Sequence, residues 1–552
     1  MVQRGRILRG MQVFINKGLA STVILDDLGT TDTEFTLPLN VSQVETERFL
    51  DTCLDKYNIK VERPVAATRI IQDDSGVTIT LERPDGKVET IRSKYVVGCD
   101  GAHSTVRHAS DKMTFPGGAY PQDFVLCDTR LRDSCIPVDR LSLALNNKGM
   151  VAIFPLTRRR RVVATRSSIR MENQQEPEAT PTLAELQAYF TTMTPAGILT
   201  GASSSLVTAA HIQVGLAAAA PRRHPRRPSN KGVDGSAHRT FPLAGSDFNP
   251  SAPPATNTTT THHHHPCRPP TSFLDSYDLE QRPVGQALLR GTDRLFTFMT
   301  APGALFVHIR NFVLRHVAPR VARSAARRRQ MFLFMSQFGV NYRGRTSLVG
   351  EAGRGGGWFG GAGIRGGDRL PDGVVRVGGG GDGDGDGNGE KTSLQRMCVG
   401  APHHLLLFSG DAARGGRGEA DLAMAAESVV QACWAEVQVH YIAGDERAAQ
   451  GEDWYADPRG ELHRLFGFGK KAGYVLVRPD GYVAHIGPLA KLPQLLSFLE
   501  AYLVSSVVTP RRARFGFVYP LAWAVVGACL AVNRKWVAEV AQRLWHVASG
   551  RA

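Results

Sequence analysis

The chain has 552 residues, 42% of them hydrophobic, and a formal charge of +15. Such a length holds about two to four domains with sizeable cores, and the composition is that of an ordinary globular protein. The basic excess lies in scattered arginine clusters (158–161, 222–223, 226–227 and 327–329) without interleaved aromatics, a pattern that speaks against a nucleic-acid surface and for a solvated face or an anionic cofactor.

The eight cysteines show no CxxC spacing. That argues against a disulfide framework and against a structural zinc site, and no metal is assigned. Free thiols in a reducing, cytoplasmic setting fit best. The first ten residues have no apolar core of the kind a signal peptide carries.

Residues 1–36 show no strong period. Residues 39–50 then read as an amphipathic helix, with Ser42 as N-cap and Glu45 at the capping-box position. Short β segments follow at 66–71, 77–81, 88–91 and 95–97, separated by turn signals such as Asp73-Asp-Ser-Gly and Pro84-Asp-Gly.

The segment 95–97 reads as a buried strand that Gly98 and Asp100-Gly101 break. The step brings a carboxylate (Asp100), a hydroxyl (Ser104) and a guanidinium (Arg107) to one strand end. In open α/β sheets nucleotide-type ligands sit there. Gly101 lets the backbone approach a phosphate closely, and Arg107 can pair with it bidentately. A strand followed by a plain Asp-Gly turn shares this local pattern.

Further strands are expected at 124–127, 141–145, 150–154 and 162–165, then a helix over 182–189. Residues 196–271 turn Ala-, Pro-, Ser-, Thr- and Arg-rich and read as disordered. Their His262–His265 run suits an adventitious metal at most, because consecutive histidines do not share one face. Helical patterns resume over 284–312. Residues 350–389 are glycine-rich; their Arg-Gly-Gly copies are a weak RNA-binding signal. The Asp382-Gly-Asp-Gly-Asp-Gly run has Ser393 where a calcium loop needs Glu, which rejects an EF-hand.

An α/β region follows, with strands at 404–408 and 474–477 and helices at 422–440 and 492–503. Residues 515–532 carry no charge and are flanked by basic residues. That length meets the lower limit for a membrane-spanning helix and equally suits a buried hydrophobic helix pair.

Several of these stretches resemble one family. Val96-Val-Gly-Cys-Asp-Gly-Ala-His-Ser-Thr-Val-Arg107 is similar to the second flavin-region motif of the class A FAD-dependent aromatic hydroxylases. By that resemblance Asp100, Gly101, Ser104 and Arg107 are FAD-binding residues. Gln43 matches the Gln that opens the family's Q-x-E-T-E-R-x-L helix and lies against the flavin. The run at 274–283 resembles the L-x-x-Y-x-x-E-R-R-P junction, with Gln281 in place of an Arg. The run at 336–343, Gly367-Asp-Arg-Leu-Pro-Asp and Arg478-Pro-Asp-Gly-Tyr-Val-Ala resemble the phenol hydroxylase branch. No G-x-G-x-x-G follows a strand near residue 1, and the family's third flavin motif has only fragmentary echoes at 243–247 and 209–212.

The implied fold class is α/β and α+β. A partial FAD-binding (glutathione-reductase-like) region spans 1–110, and the substrate-domain β-sheet spans 111–195. The aberrant segment covers 196–271, and a helical part of the module covers 272–345. A thioredoxin-like domain without CxxC spans 346–505, and the tail is 506–552. The resemblance implies FAD, NAD(P)H and O₂ as reactants, with hydroxylation of a phenolic small molecule through a flavin hydroperoxide. It also implies a homodimer through the C-terminal domain. No catalytic base can be named. The alternative is a catalytically inactive remnant that binds or dimerises. The expected location is cytoplasmic, with tail anchoring through 515–532 as an open option and no nucleic-acid partner.

Overall fold

The computed structural model describes residues 2–25, 33–101 (except 74), 104–110, 117–119, 124–132, 136–157 (except 148), 160–165, 182–195, 275–300, 303–351 (except 347), 363–377, 391–432 (except 401 and 411–416), 437–444 and 453–504 (except 470), with short strands between 198 and 234. The His262–His265 run, the Asp382–Gly387 run and the hydrophobic stretch 515–532 lie outside the described residues. Among the described residues no helix is long and apolar enough to cross a membrane.

The fold is mixed α and β, built around two eight-stranded sheets. The first sheet begins inside the region that shows no period in the sequence. Gly10–Ile15 and Gly18–Ile24 form an antiparallel hairpin, and Gly10–Ile15 also pairs in parallel with Arg140–Leu145. The turn between them uses Asn16 and Lys17, both with positive φ (50° and 68°), as a tight hairpin turn requires. The strand is buried on both faces. Phe14 enters the core on one side, while Val13 and Ile15 enter the core on the other. A strand buried on both sides has no polar face to alternate with, and this hid it in the sequence.

The sheet continues through Met150–Pro155, Arg160–Thr165 and Phe124–Arg132 to the short strand Ile198–Thr200. Its strands run close to their expected positions because each presents a β-branched or aliphatic face. The helix Leu183–Met193 covers one side, burying Leu186, Tyr189, Phe190 and Met193. Thr182 caps it in a full capping box with Glu185. Leu314 and Met299, from the long helical stretch, cover the other side. Within the sheet Asp128 and Arg161 are direct cross-strand partners and pair bidentately at 2.8 and 3.0 Å.

The helix at Gln43–Asp55 forms where Ser42 predicts, and the Ser42 hydroxyl accepts from the Glu45 amide. The expected capping box does not close. Glu45 binds Arg4 at 2.7 Å and Arg48 at 2.8 Å instead, because two guanidiniums outcompete one backbone amide for the carboxylate.

The second sheet runs in the order Gly350–Glu351, Val483–Pro488, Gly473–Val477, His403–Phe408, Val437–Ala443, Trp454–Ala456, Val374–Val377, Lys391–Ser393. Its central strand His403–Phe408 is buried throughout. The helices Arg417–Ala432 and Leu492–Val504 cover one face through Leu422, Val429, Leu495 and Leu499. Leu394, Leu462 and Phe466 close the other. The helix expected over 422–440 is shorter than its sequence reading. It spans Arg417–Ala432, and Val437–Ala443 is a strand pairing in parallel with His403–Phe408. The alternation of Val437, Val439 and Tyr441 is a strand period, and β-branched residues favour it.

The helix Asp275–Thr300 ties the two sheets together. Helical structure then resumes at Ala304 after Gly303, whose φ of +112° breaks the run. Near the start of Asp275–Thr300, Glu280 is 2% exposed. Arg478 donates to both of its carboxylate oxygens, at 3.0 and 2.9 Å, and Thr346 donates to one at 2.8 Å. Arg345 donates to the Glu280 carbonyl, and Asp480 holds Arg478 from the other side at 2.6 Å. Close by, Tyr342 stacks on Tyr482 and accepts from Gln281 at 2.6 Å. Gly367 has φ of +88°, and a Cβ there would lie 2.6 Å from the Arg343 amide nitrogen. Four separate sequence runs therefore meet at one junction: 274–283, 336–343, 367–372 and 476–484.

Removing one partner of a buried, hydrogen-bonded pair strands the other charge. Glu280→Ala is expected to lower unfolding stability by about 3 to 5 kcal/mol, read from urea denaturation. The paired replacement Glu280→Leu with Arg478→Met should cost clearly less than the sum of the two single changes.

Candidate functional site

The strand that leads into the Asp100 turn is shorter and more open than expected. It spans Val97–Gly98, and among the described residues it pairs only with Val233–Asp234. Tyr95 and Val97 are 59% and 58% exposed, so the sequence reading of a buried strand is corrected. Gly98 itself is buried, with Val106 packed on it.

Past the strand the chain turns sharply. Gly101 has φ of +81°, and a Cβ there would meet nothing within 4 Å. The backbone is left-handed at this point and open on its outer side. Ser104 then caps the short helix Thr105–His108, its hydroxyl accepting from the Arg107 amide at 3.0 Å. The Asp100 carboxylate accepts from the Ser104 hydroxyl at 2.5 Å and from the Val106 amide at 3.1 Å. Ser104 is fully buried and Arg107 is 4% exposed, while Asp100 itself lies at the surface.

One carboxylate and one hydroxyl thus tie Asp100 to the start of the helix. Burial pushes the Asp100 carboxyl upward, but the hydrogen bonds from Ser104 and from the Val106 and Thr105 amides outweigh it. The net effect holds Asp100 below its ordinary value of 3.8, so it is an anion at neutral pH.

Sequence reasoning takes Gly98 only as a strand breaker, whereas the structure keeps it in the strand, packed against the helix. A Cβ at Gly98 would lie 2.9 Å from the Cβ of Val106. Only glycine lets the helix fold back this tightly onto the strand, and a glycine directly ahead of an Asp-Gly pair is the available signal.

Four of the five sequence-predicted site residues, Asp100, Gly101, Ser104 and Arg107, fall in this one turn. Gln43 does not join it by a hydrogen bond. Its amide donates to Glu47 one helical turn on, at 2.9 Å, on an exposed helix face. That helix buries none of its residues, and Val44, Phe49 and Leu50 stand exposed along it. Phe49, Thr52, Arg4, Glu45 and Arg48 line a shallow cleft at its flank.

Residues 1–219 match the family model described as an FAD binding domain. Residues 430–507 match the one described as the phenol hydroxylase C-terminal dimerisation domain. The chain is 29% identical over 269 residues to the uncharacterized aromatic compound monooxygenase YhjG of Bacillus subtilis, covering 48% of this chain and 52% of that protein. It is 36% identical over 107 residues to the 12-dehydrotetracycline 5-monooxygenase/anhydrotetracycline 6-monooxygenase of Streptomyces rimosus, covering 19% and 21%. It is 58% identical over 87 residues to the 3-hydroxybenzoate 4-monooxygenase of Comamonas testosteroni, covering 15% and 13%. Each match spans about half or less of the relative's own length.

Among solved structures, the fold is similar to the flavin-dependent monooxygenase PieE in complex with FAD and substrate. The TM-score is 0.61 at 16% identity, with 90% of this chain and 86% of that one covered. It is also similar to aklavinone-11 hydroxylase with FAD and aklavinone, at a TM-score of 0.58 and 17% identity, with 91% and 88% covered. At these identities the likeness is one of fold.

Ser104→Ala removes the helix cap and one Asp100 contact together, and is expected to cost about 1 kcal/mol. Hydrogen exchange at the Val106 and Arg107 amides should accelerate accordingly. Because the folded Asp100 titrates below its ordinary value, its contribution is complete above pH 3.8 and is lost as pH falls through the folded value. Exchange protection at Val106 is expected to follow that acid limb in the native chain and to lose it in Asp100→Asn.

Proposed function

We propose that this chain, which belongs to the class A FAD-dependent aromatic hydroxylases, uses FAD, NAD(P)H and O₂ to hydroxylate a phenolic small molecule. The observation that carries the reading is the hydrogen-bonded set of Asp100, Ser104 and Arg107 beside Gly98 and Gly101, within the residues that match the FAD binding domain.

The turn suits a flavin nucleotide. Gly101 leaves open space where a side chain would block close approach, and the exposed Tyr95 and Val97 offer apolar surface beside it. Asp100, Gly101, Ser104 and Arg107 would hold the cofactor on this side, and Gln43 would approach it from the helix Gln43–Asp55. FAD, when bound, supplies the electron transfer from NAD(P)H and the oxygen chemistry.

The chain's own residues do the rest. The Asp100 anion, pinned by Ser104 and Val106, offers a fixed acceptor that need not reorganise when a ligand arrives. The sheet of Gly10–Ile24 and Phe124–Thr165 gives a stiff wall against which an aromatic substrate can be oriented and shielded from water.

The C-terminal unit is read as thioredoxin-like and as the dimer contact. Support comes from its order of elements. His403–Phe408, the helix Arg417–Ala432 and Val437–Ala443 form a parallel strand–helix–strand unit. The antiparallel pair Gly473–Val477 and Val483–Pro488 and the helix Leu492–Val504 follow. Without CxxC it serves packing rather than redox exchange. Among the described residues, Cys53, Cys99, Cys127 and Cys398 form no disulfide.

The test is turnover. The purified chain, with FAD and either NADH or NADPH, is offered a panel of monohydric phenols and hydroxybenzoates. Phenol-dependent oxygen uptake with a hydroxylated product by mass spectrometry is the expected result. A chain that retains FAD yet consumes no nicotinamide cofactor with any phenol would overturn the catalytic reading and favour a binding or dimerisation role.

A further inference from the structure

We propose that Cys398, His404 and His440 form a buried binding site for a borderline-soft divalent cation of the Zn²⁺ type, in the core of the C-terminal unit. One ligand atom from each of the three lies within 4.8 Å of the other two, and all three residues are buried. His404 is 0% exposed, His440 1% and Cys398 8%.

The topology makes the cluster. His404 sits on the strand His403–Phe408, and His440 on its parallel neighbour Val437–Ala443. In register, His404 lies opposite Gln438 and His440 opposite Leu406. Alternation places His404, Leu406 and Phe408 on one face, with His440 and Ile442 beside them. That face is the apolar core of Leu406, Phe408, Ile442 and Phe466, and Cys398 belongs to the same cluster. Cys398 is delivered to it at the end of the short helix Leu394–Met397, where its amide closes the turn onto Leu394.

The distances suit an ion. His404 Nδ1 and His440 Nε2 face each other at 3.1 Å, with their rings near parallel. Two imidazole nitrogens on a tetrahedral zinc, each ~2.0–2.1 Å from it, lie roughly 3.3 Å apart. Closing the Cys398 sulfur onto the ion takes a side-chain adjustment of about 1 Å at a metal–sulfur bond of ~2.3 Å.

Without an ion, the facing nitrogens must share a single proton, whereas an ion between them takes both lone pairs. The outer ring nitrogens, His404 Nε2 and His440 Nδ1, are buried with no hydrogen-bond partner in either state. A bound cation draws the proton off the Cys398 sulfur, so that it binds as a thiolate. The three side chains leave the fourth position of a tetrahedral ion to a ligand from outside the cluster.

This revises the sequence reading that assigns no metal. A search for CxxC spacing does not find the site, because one ligand precedes a strand, the second is on it, and the third comes from the adjacent strand.

The experiment uses the full chain, purified without an affinity tag, stripped with a chelator and reloaded with Co²⁺ alone. The expected result is a thiolate-to-cobalt charge-transfer band at about one equivalent. It should be absent from Cys398→Ser and strongly reduced in His440→Gln. The band should be unchanged when His262→Ala, His263→Ala, His264→Ala and His265→Ala are made together, since imidazoles alone give no such band. Wild-type protein without the band, or a band that persists in Cys398→Ser, would overturn the proposal. If Cys398→Ser does not fold, X-ray absorption on the zinc-loaded wild type decides. A shell of one sulfur and two nitrogens supports the site; a shell without sulfur refutes it.

Discussion

The bidentate pair between Glu280 and Arg478 is the contact on which the arrangement of the two sheets depends. Two charges taken out of water cost more than their attraction returns unless every remaining hydrogen-bond site is met. Here Thr346 donates to the Glu280 carboxylate and Asp480 accepts from Arg478, while Arg345 ties down the Glu280 backbone carbonyl. The pair belongs to the helix Asp275–Thr300, whose 26 residues make a rod of about 39 Å. One end of the rod is fixed to the second sheet through Glu280. The other packs on the first through Met299, whose carbonyl also accepts from the buried Arg310. Arg310 reaches on to the Asn146 carbonyl at the end of a first-sheet strand. With both ends pinned, the helix sets the distance between the sheets.

How much of this was legible in the chain depends on what each residue has to satisfy. The helix cap at Ser42 was readable, because an N-cap is a local requirement met by local residues, while the helix over 182–189 was read without its Thr182 cap. So were the first-sheet strands from 124 to 165, where half-burial writes an alternating pattern. Gly10–Ile15 was not, since burial on both faces erases the alternation. The end of the helix after Ala432 was missed for a related reason: the apolar residues of Val437–Ala443 satisfy a helical stripe nearly as well as a strand. The junction could be seen only in pieces. Glu280 and Arg478 each stand in a recognisable motif, but nothing in one motif says that it closes on the other, 198 residues away.

The candidate site divides in the same way. Asp100, Gly101, Ser104 and Arg107 were legible because they solve a local problem: turning a strand into a helix within seven residues. Gly98 solves a packing problem with Val106 and gave a weaker signal. Gln43 gave a family-level signal alone, and its side chain bonds within its own helix. The Cys398, His404 and His440 cluster is tertiary throughout and had no linear signature at all.

The central claim is that the turn from Gly98 to Arg107 is a flavin-holding element. Its most direct test is titration of the folded chain with FAD, followed by quenching of flavin fluorescence, in the wild type, in Gly101→Val and in Asp100→Ala. The account predicts saturable binding of one FAD per chain, weakened at least tenfold in both variants, a loss of about 1.4 kcal/mol or more. Folded wild-type protein that leaves FAD fluorescence unchanged, or variants that bind as tightly as the wild type, would contradict it.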